Sequence, residues 1–172
     1  MKIAYTMASG RGDTDLLLYR LSEELSAKGV RCCGTVQINT NRAEGPCDMD
    51  VNVLPYGPTL RISQNLGTAS RGCRLDPSAL EEAVGLVAAE LSRGADLLII
   101  NKFGKHEAGG RGFRNRIAEA ISQDIPVLVG LNALNLPAFD GFTGGGALQI
   151  EAAIPEILDW YEDAVQTTKN AA

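Results

Sequence analysis

The chain has 172 residues and a formal net charge of −5. This length predicts one α/β domain spanning residues 1–172, and a content of 45% hydrophobic residues is typical of globular proteins. The acidic balance argues against a nucleic-acid-binding protein, because such proteins usually carry a basic face. The chain has no apolar run of the roughly 20 residues that a membrane span needs, and the apolar stretch of MKIAYTM is too short for a signal peptide. We therefore expect a cytoplasmic protein without membrane insertion.

The first third of the chain predicts a strand, a helix and a second strand. Residues 2–7 are apolar and precede ASGRGD, after which residues 14–28 show helical periodicity, with Asp13 or Thr14 as the cap. Residues 30–39 read as the second strand, in which Gly34 indicates a bulge. The residues around PYGP predict two short strands, 49–54 and 60–63, which we interpret as an insertion at the edge of the sheet.

The remainder alternates between helices and strands, which predicts a three-layer fold with a mainly parallel sheet flanked by helices. The predicted elements are a helix at 77–93, a strand at 97–100, a helix at 113–123, a strand at 126–131, a helical turn at 134–139 and a helix at 155–166. GFTGGG predicts a flexible joint, and we expect the tail to residue 172 to be frayed. Four consecutive apolar residues at 97–100 indicate a strand that is covered on both faces.

Glycine-flanked arginines are the first indication of a ligand. Arg11, Arg71 and Arg111 stand in SGRGD, SRGCR and GGRGF. An arginine fork beside exposed backbone N–H groups suits a compact oxyanion such as phosphate or sulfate. At Gly10, Arg11 and Gly12 two interpretations stay open, a phosphate site and a plain turn capped by acidic residues. The phosphate-binding pattern G-x-x-x-x-G-K-[ST] is absent there, and an aspartate at a helix start competes with phosphate.

Residues 61–76, RISQNLGTASRGCRLD, are the main candidate for an anion-binding loop. Almost every side chain can donate a hydrogen bond, and no acidic residue occurs before Asp76. The alternative is a loop that packs over the sheet through Leu66 and Cys73. The candidate ligand-binding residues of this segment are Arg61, Ser63, Gln64, Asn65, Ser70, Arg71 and Arg74.

A second group of candidates follows the predicted strand 97–100. Asn101, Lys102, Lys105, Glu107 and Arg111 lie in NKFGKHEAGGRG. Ligand sites of open α/β sheets lie at the carboxyl ends of the strands, so we include all five in the predicted site. The four cysteines lack zinc-ligand spacing, so we predict no metal site. Two interpretations of Cys73 stay open, a reactive thiol and a buried structural cysteine.

The segments RISQNLGTASRGCRLDPSALEEAV and ADLLIINKFGKHEAGGRGFRNRIAEAI closely resemble an uncharacterised bacterial family. Its members are classed as a domain of unknown function and are often encoded near molybdate-uptake genes. More distantly, the chain is similar to small P-loop nucleoside-triphosphatases, in which the corresponding strand ends in an Asp-Glu pair. Here that pair reads Asn101-Lys102, and no lysine follows Gly12. The resemblance therefore implies a P-loop-like fold with degenerate nucleotide motifs.

The resemblance and the loops together predict a small-anion-binding protein. Its expected ligand is an oxyanion, molybdate or tungstate, or a phosphorylated molecule, in molybdenum uptake or cofactor metabolism. One alternative is a diverged nucleoside-triphosphatase or phosphotransferase that uses ATP and magnesium, so enzymatic activity stays open. Another is a regulatory protein-interaction module. Homo-oligomerisation also stays open, because the apolar segment 136–148 suits either an interface or a lid.

Overall fold

The chain folds around a seven-stranded sheet. The structure is a computed structural model that describes residues 1–41, 43, 47–64 and 74–171, with side chains up to residue 167. The elements in chain order are β1 (Ile3–Thr6), α1 (Asp13–Ala27), β2 (Cys32–Thr40), β3 (Asp48–Leu54), β4 (Thr59–Arg61), α2 (Pro77–Leu91), β5 (Leu97–Ile100), α3 (Lys105–Ala108), α4 (Arg114–Ser122), β6 (Val127–Gly130), α5 (Leu136–Thr143), β7 (Leu148–Ile150) and α6 (Ile154–Ala171).

The strand order β4-β3-β2-β5-β6-β1-β7 places β5 at the centre. From β2 to β7 the neighbouring strands are parallel, whereas β3 and β4 extend the sheet as antiparallel strands at one edge. The predictions of a mainly parallel sheet and of an edge insertion around PYGP are confirmed. The parallel strands bring the loops that follow β1, β5 and β6 to one edge of the sheet.

Two apolar cores cover the faces of the sheet, as alternation along each strand requires. Leu98 and Ile100 face α2, α4 and α5, whereas Leu97 and Ile99 face α1 and α6. Cys32 and Cys33 are buried on opposite faces as free thiols, and burial raises their pKa values to about 12 and about 11. The prediction that they form no disulfide with each other is confirmed.

Four local predictions are wrong. Gly12, which has no side chain, occupies the N-cap of α1, where we predicted Asp13 or Thr14. Gly34 forms no bulge, since its pairing with Leu54 and Ile99 is continuous. Residues 141–143 of the predicted joint are helical, because Phe139 and Phe142 pack on Phe103. α6 continues to Ala171 where we expected a frayed tail, and β7 was not predicted at all.

In the part of the chain that the structure describes, no helix is long and apolar enough to span a membrane.

Candidate functional site at the carboxyl ends of β1, β5 and β6

A cavity of about 210 Å³ lies where β1, β5 and β6 end. The strand ends approach each other closely, because a Cβ atom at Gly130 would lie 3.0 Å from the carbonyl carbon of Asn101. The cavity is lined by Ala8, Gly10, Arg11, Gly12, Thr14, Asp15, Asn101, Lys102, Gly130, Leu131 and Asn132. Sequence reasoning named Gly10, Arg11, Gly12, Asn101 and Lys102 as ligand-binding residues, and the structure brings these five together.

The β1–α1 loop has the frame of a phosphate loop without its cation. When G-x-x-x-x-G-K-[ST] is laid on residues 7–14, Gly12 and Thr14 match, but Met7 replaces the first glycine and Asp13 replaces the lysine. The Thr14 hydroxyl accepts a hydrogen bond of 3.0 Å from the Ala8 N–H. The carboxylate of Asp13 lies against Gly10, where a Cβ atom would be 2.6 Å from Asp13 Cγ. A polyphosphate entering this loop would therefore meet a negative charge.

A hydrogen-bond network joins the first turn of α1 to the ends of β2 and β5. Asn101, only 4% exposed, donates from Nδ2 to Asp15 Oδ1 at 2.8 Å, and its own Oδ1 accepts from the Gln37 N–H at 2.8 Å. The other oxygen of Asp15 accepts from Asn39 at 2.6 Å and from the Gln37 side chain at 3.3 Å. Three amide N–H donors thus satisfy the acceptor oxygens of Asp15, and the neutral Asn101 stands where the nucleoside-triphosphatases that the chain resembles carry an acid.

The hydrogen-bond network leaves few carboxylate oxygens free to coordinate a divalent cation. Asp15 is the acid next to Asn101, and its oxygens are occupied by amides. Among the described residues there is no group of three histidine, cysteine or acidic side chains that could hold a metal ion.

Two cations face the same space. Arg11 and Lys102 are exposed, and both line the small cavity and a larger neighbouring groove of about 940 Å³. Within the described residues neither side chain has an ion-pair partner, in contrast to Lys28, Arg31, Arg61 and Arg93. An exposed lysine and arginine without acidic partners at the edge of a loop suit an anion.

A family model described as "Protein of unknown function (DUF2478)" matches residues 3–160. The chain belongs to this family. It is also 32% identical, over 170 residues, to the Molybdenum import ATP-binding protein ModC 2 of Bradyrhizobium diazoefficiens. That match covers 98% of the chain but spans only 19% of the relative's length. The resemblance to a family of unknown function, predicted from the two motif segments, is confirmed.

Two solved structures share the fold. The solution structure of a human cancer-related nucleoside triphosphatase matches with a TM-score of 0.60 and 17% identity, over 100% of both chains. The crystal structure of THEP1 from the hyperthermophile Aquifex aeolicus matches with a TM-score of 0.61 and 20% identity, over 95% of this chain and 96% of that one. At these identities the likeness establishes the fold, which confirms the expected P-loop-NTPase-like architecture of this DUF2478 chain.

Arg61, the first predicted ligand residue of the segment 61–76, does not line the cavity. Arg61 lies on β4, three strands from β5, and pairs with Asp50 at 2.6 Å and Asp48 at 3.0 Å. The hydrogen bond from Arg61 to Asp50 raises the pKa of the guanidinium. The carboxylates therefore already neutralise this arginine, and we leave it out of the site.

The other described residues of that segment have local structural contacts. The Ser63 hydroxyl accepts from the Met49 N–H at 3.0 Å, and the Gln64 N–H donates to the Arg74 carbonyl at 2.6 Å. The Arg74 guanidinium donates to the carbonyl oxygen of Cys47. Three predicted ligand residues, Asn65, Ser70 and Arg71, lie outside the described residues, as does Cys73, so those predictions stay predictions.

Glu107 has a structural position. It is 4% exposed, and its carboxylate accepts hydrogen bonds from the Gly104 N–H at 2.9 Å and the Phe113 N–H at 3.1 Å. The sequence predicts Glu107 as a ligand-binding residue, but its carboxylate is engaged by these two backbone N–H groups. Lys105 and Arg111 are exposed on the same turn, outside the cavity lining.

The Asp15–Asn101 contact makes a direct prediction. In Asn101→Asp two carboxylates would face each other where the amide now donates at 2.8 Å, and the pKa of one would rise in the folded state. Folding would then be favoured by acid, so we expect the variant to be about 1–3 kcal/mol less stable than wild type at pH 7.5, with a smaller deficit at pH 5. Urea unfolding of both proteins at pH 7.5 and at pH 5 measures this difference in stability. An equally stable variant at pH 7.5 would show that the two side chains do not meet in solution.

Proposed function

We propose that this chain binds a small oxyanion or a phosphoryl group in the cavity at the ends of β1, β5 and β6, without a metal ion. The observation that carries the proposal is the pair of exposed cations, Arg11 and Lys102, on one small cavity whose acidic neighbour Asp15 is already satisfied by amides. Arginine can hold a tetrahedral oxyanion with two parallel N–H···O bonds, and lysine adds a point charge.

The size of the cavity supports a compact ligand. At about 30 Å³ per water molecule, a volume of about 210 Å³ has room for one tetrahedral anion and part of its hydration shell. Asn132 adds a polar group, because Asn135 occupies its side-chain oxygen and leaves its NH₂ group as a donor. Arg11, Lys102 and Asn132 thus supply donors for an anion in a cavity that Asp15 also lines with its carboxylate.

We propose molybdate or tungstate as this oxyanion. The chain matches, over 98% of its own length, part of a protein named for molybdenum import. Molybdate and tungstate are tetrahedral dianions, and the cavity offers two positive charges for them. In this proposal the chain serves molybdenum uptake or cofactor metabolism from the cytoplasm.

Nucleotide binding is the second candidate, and the fold and the larger groove favour it. The fold neighbours include a nucleoside triphosphatase, and the groove of about 940 Å³ is within the roughly 300–1,000 Å³ typical of organic ligands. However, Asp13 replaces the lysine that holds the β- and γ-phosphates, and Asn101 replaces an acid that would hold magnesium. We therefore expect that ATP with magnesium gives no hydrolysis above background.

Thermal unfolding with each ligand separates the two candidates. A ligand that binds only the folded protein stabilises it by RT ln(1 + [L]/Kd), about 2.7 kcal/mol at 100 times Kd. We expect molybdate and tungstate to raise Tm in the presence of a chelator, and the Asp13→Asn variant to show a larger rise because a repulsive charge is removed. A rise that needs ATP and magnesium, with none from any free oxyanion, would contradict the proposal.

A further inference from the structure

A groove next to the anion cavity has walls that an oxyanion alone would not use. We call it the hairpin groove, and define it by the apolar side chains of Leu16, Tyr19, Ile38 and Met49. It is bordered by the first turns of α1 on one side and by β2 and β3 on the other. Its volume is about 940 Å³, more than four times that of the anion cavity.

The groove and the anion cavity share two cationic side chains in their linings. Arg11 and Lys102 line both of them, so a single ligand can place its charge on these side chains and extend into the hairpin groove. Leu16 is 48% exposed there. An exposed apolar side chain that shares a groove with two cations, neither of which has an ion-pair partner among the described residues, is a favourable surface for an amphipathic anion. Lysine and arginine also attract the faces of aromatic rings.

Two polar side chains of the groove, Gln37 and Asn39, are already engaged in internal hydrogen bonds. Gln37 and Asn39 donate their side-chain N–H groups to Asp15, and Gln37 also donates to Asn39. A ligand therefore meets these internally hydrogen-bonded amides and the apolar walls formed by Leu16, Tyr19, Ile38 and Met49. Such walls favour a flat ring over a sugar or a peptide, because the ring needs few new hydrogen bonds.

We propose that this site binds, besides a free oxyanion, an anionic ester with a flat ring, such as an aromatic or heterocyclic phosphomonoester. Its charged group lies on Arg11 and Lys102, and its ring lies in the hairpin groove between Leu16 and Ile38. The inference rests on the proposed function, which it deepens by naming a ligand class. A single anionic group is favoured over a triphosphate, because Asp13 also lines the groove.

Calorimetric titration with graded probes tests this. We compare inorganic phosphate, phenyl phosphate and 1-naphthyl phosphate in the presence of a chelator. We expect affinity to rise with ring size, with 1-naphthyl phosphate at least tenfold tighter than phosphate. Leu16→Asn and Ile38→Thr should remove most of that gain and change the affinity for phosphate less than twofold.

Leu148→Asn is the matched control. Leu148 is 57% exposed on β7 and lies outside the groove lining. The ring-bearing esters should therefore still bind this variant more tightly than inorganic phosphate does. Phosphate binding without a gain for the ring-bearing esters would overturn the inference alone, as would an equal loss of gain in Leu148→Asn. Absence of binding by phosphate, molybdate and both esters would overturn the proposed function together with it.

Discussion

Replacing both Arg11 and Lys102 by alanine is expected to weaken oxyanion binding by at least a hundredfold. A hydrogen bond to a charged group contributes about 1.5–3 kcal/mol, and two such losses correspond to a factor of about 10² to 10⁴ in Kd. Both side chains are exposed, so the free energy of unfolding should change by no more than about 0.5 kcal/mol. Calorimetric titration with molybdate and with phosphate measures the loss.

The double variant Lys28→Ala/Arg93→Ala is the matched control for net charge. Its two cations pair with Glu24 and Glu90 near the ends of α1 and α2, at the opposite edge of the sheet from the cavity. We expect it to bind within about twofold of wild type, since exposed charges beyond a Debye length of roughly 10 Å are largely screened. Equal losses in the two double variants would mean that net charge, and not the cavity, governs binding.

Gly34→Ala is expected to cost more than about 4 kcal/mol of the free energy of unfolding, a large share of the roughly 5–15 kcal/mol of a typical domain. Gly34 has φ +117°, which disfavours any side chain. A Cβ atom there would lie 2.8 Å from the carbonyl carbon of Ile99 and closer still to its oxygen. β2 cannot move away, because it pairs with β3 on one side and with β5 on the other.

Gly85→Ala provides the control. Gly85 is an exposed residue inside α2, and a Cβ atom there would have nothing within 4 Å. Alanine in a helix interior is about 0.5–1 kcal/mol more favourable than glycine, so this variant should gain stability. Urea unfolding measures the stability of both variants. A free energy of unfolding of Gly34→Ala within 1 kcal/mol of wild type would contradict the packing of β2 on β5.

The central strand was predictable because its signal is local. Leu97–Ile100 are all fully buried, and four apolar residues without alternation indicate such a strand. β7 was missed because it is only three residues long, and its structure depends on pairing with β1, more than 140 positions away. α5 was misjudged because the glycines of GFTGGG favour a loop, whereas packing of Phe139 and Phe142 on Phe103 favours the helix.

The site was predictable only where its residues follow a strand. Arg11 and Lys102 come shortly after β1 and β5, so topology alone brings them together. Gln37 and Asn39 were missed, because their contact with Asp15 joins positions 22 and 24 residues apart. A sequence signal did exist, since QIN continues a buried strand with polar residues on one face.

Glu107 and Arg61 were assigned to the ligand site although both are engaged elsewhere in the fold. A sequence does not show whether a charged group already has a partner. Glu107 is occupied by two backbone N–H groups, one of them from Phe113, six positions away. Arg61 is occupied by Asp50, which lies opposite it across the pairing of β3 and β4.

Calorimetric titration of the wild-type chain with molybdate, in a buffer that contains EDTA, tests the central claim most directly. Metal-free binding at the β1–α1 loop predicts saturable binding of one molybdate per chain, which excess phosphate or tungstate displaces. In a separate buffer without EDTA, no release of phosphate should follow when ATP and magnesium replace molybdate. Absence of molybdate binding in EDTA, together with magnesium-dependent binding and hydrolysis of ATP, would contradict the account and identify the chain as a working nucleoside-triphosphatase.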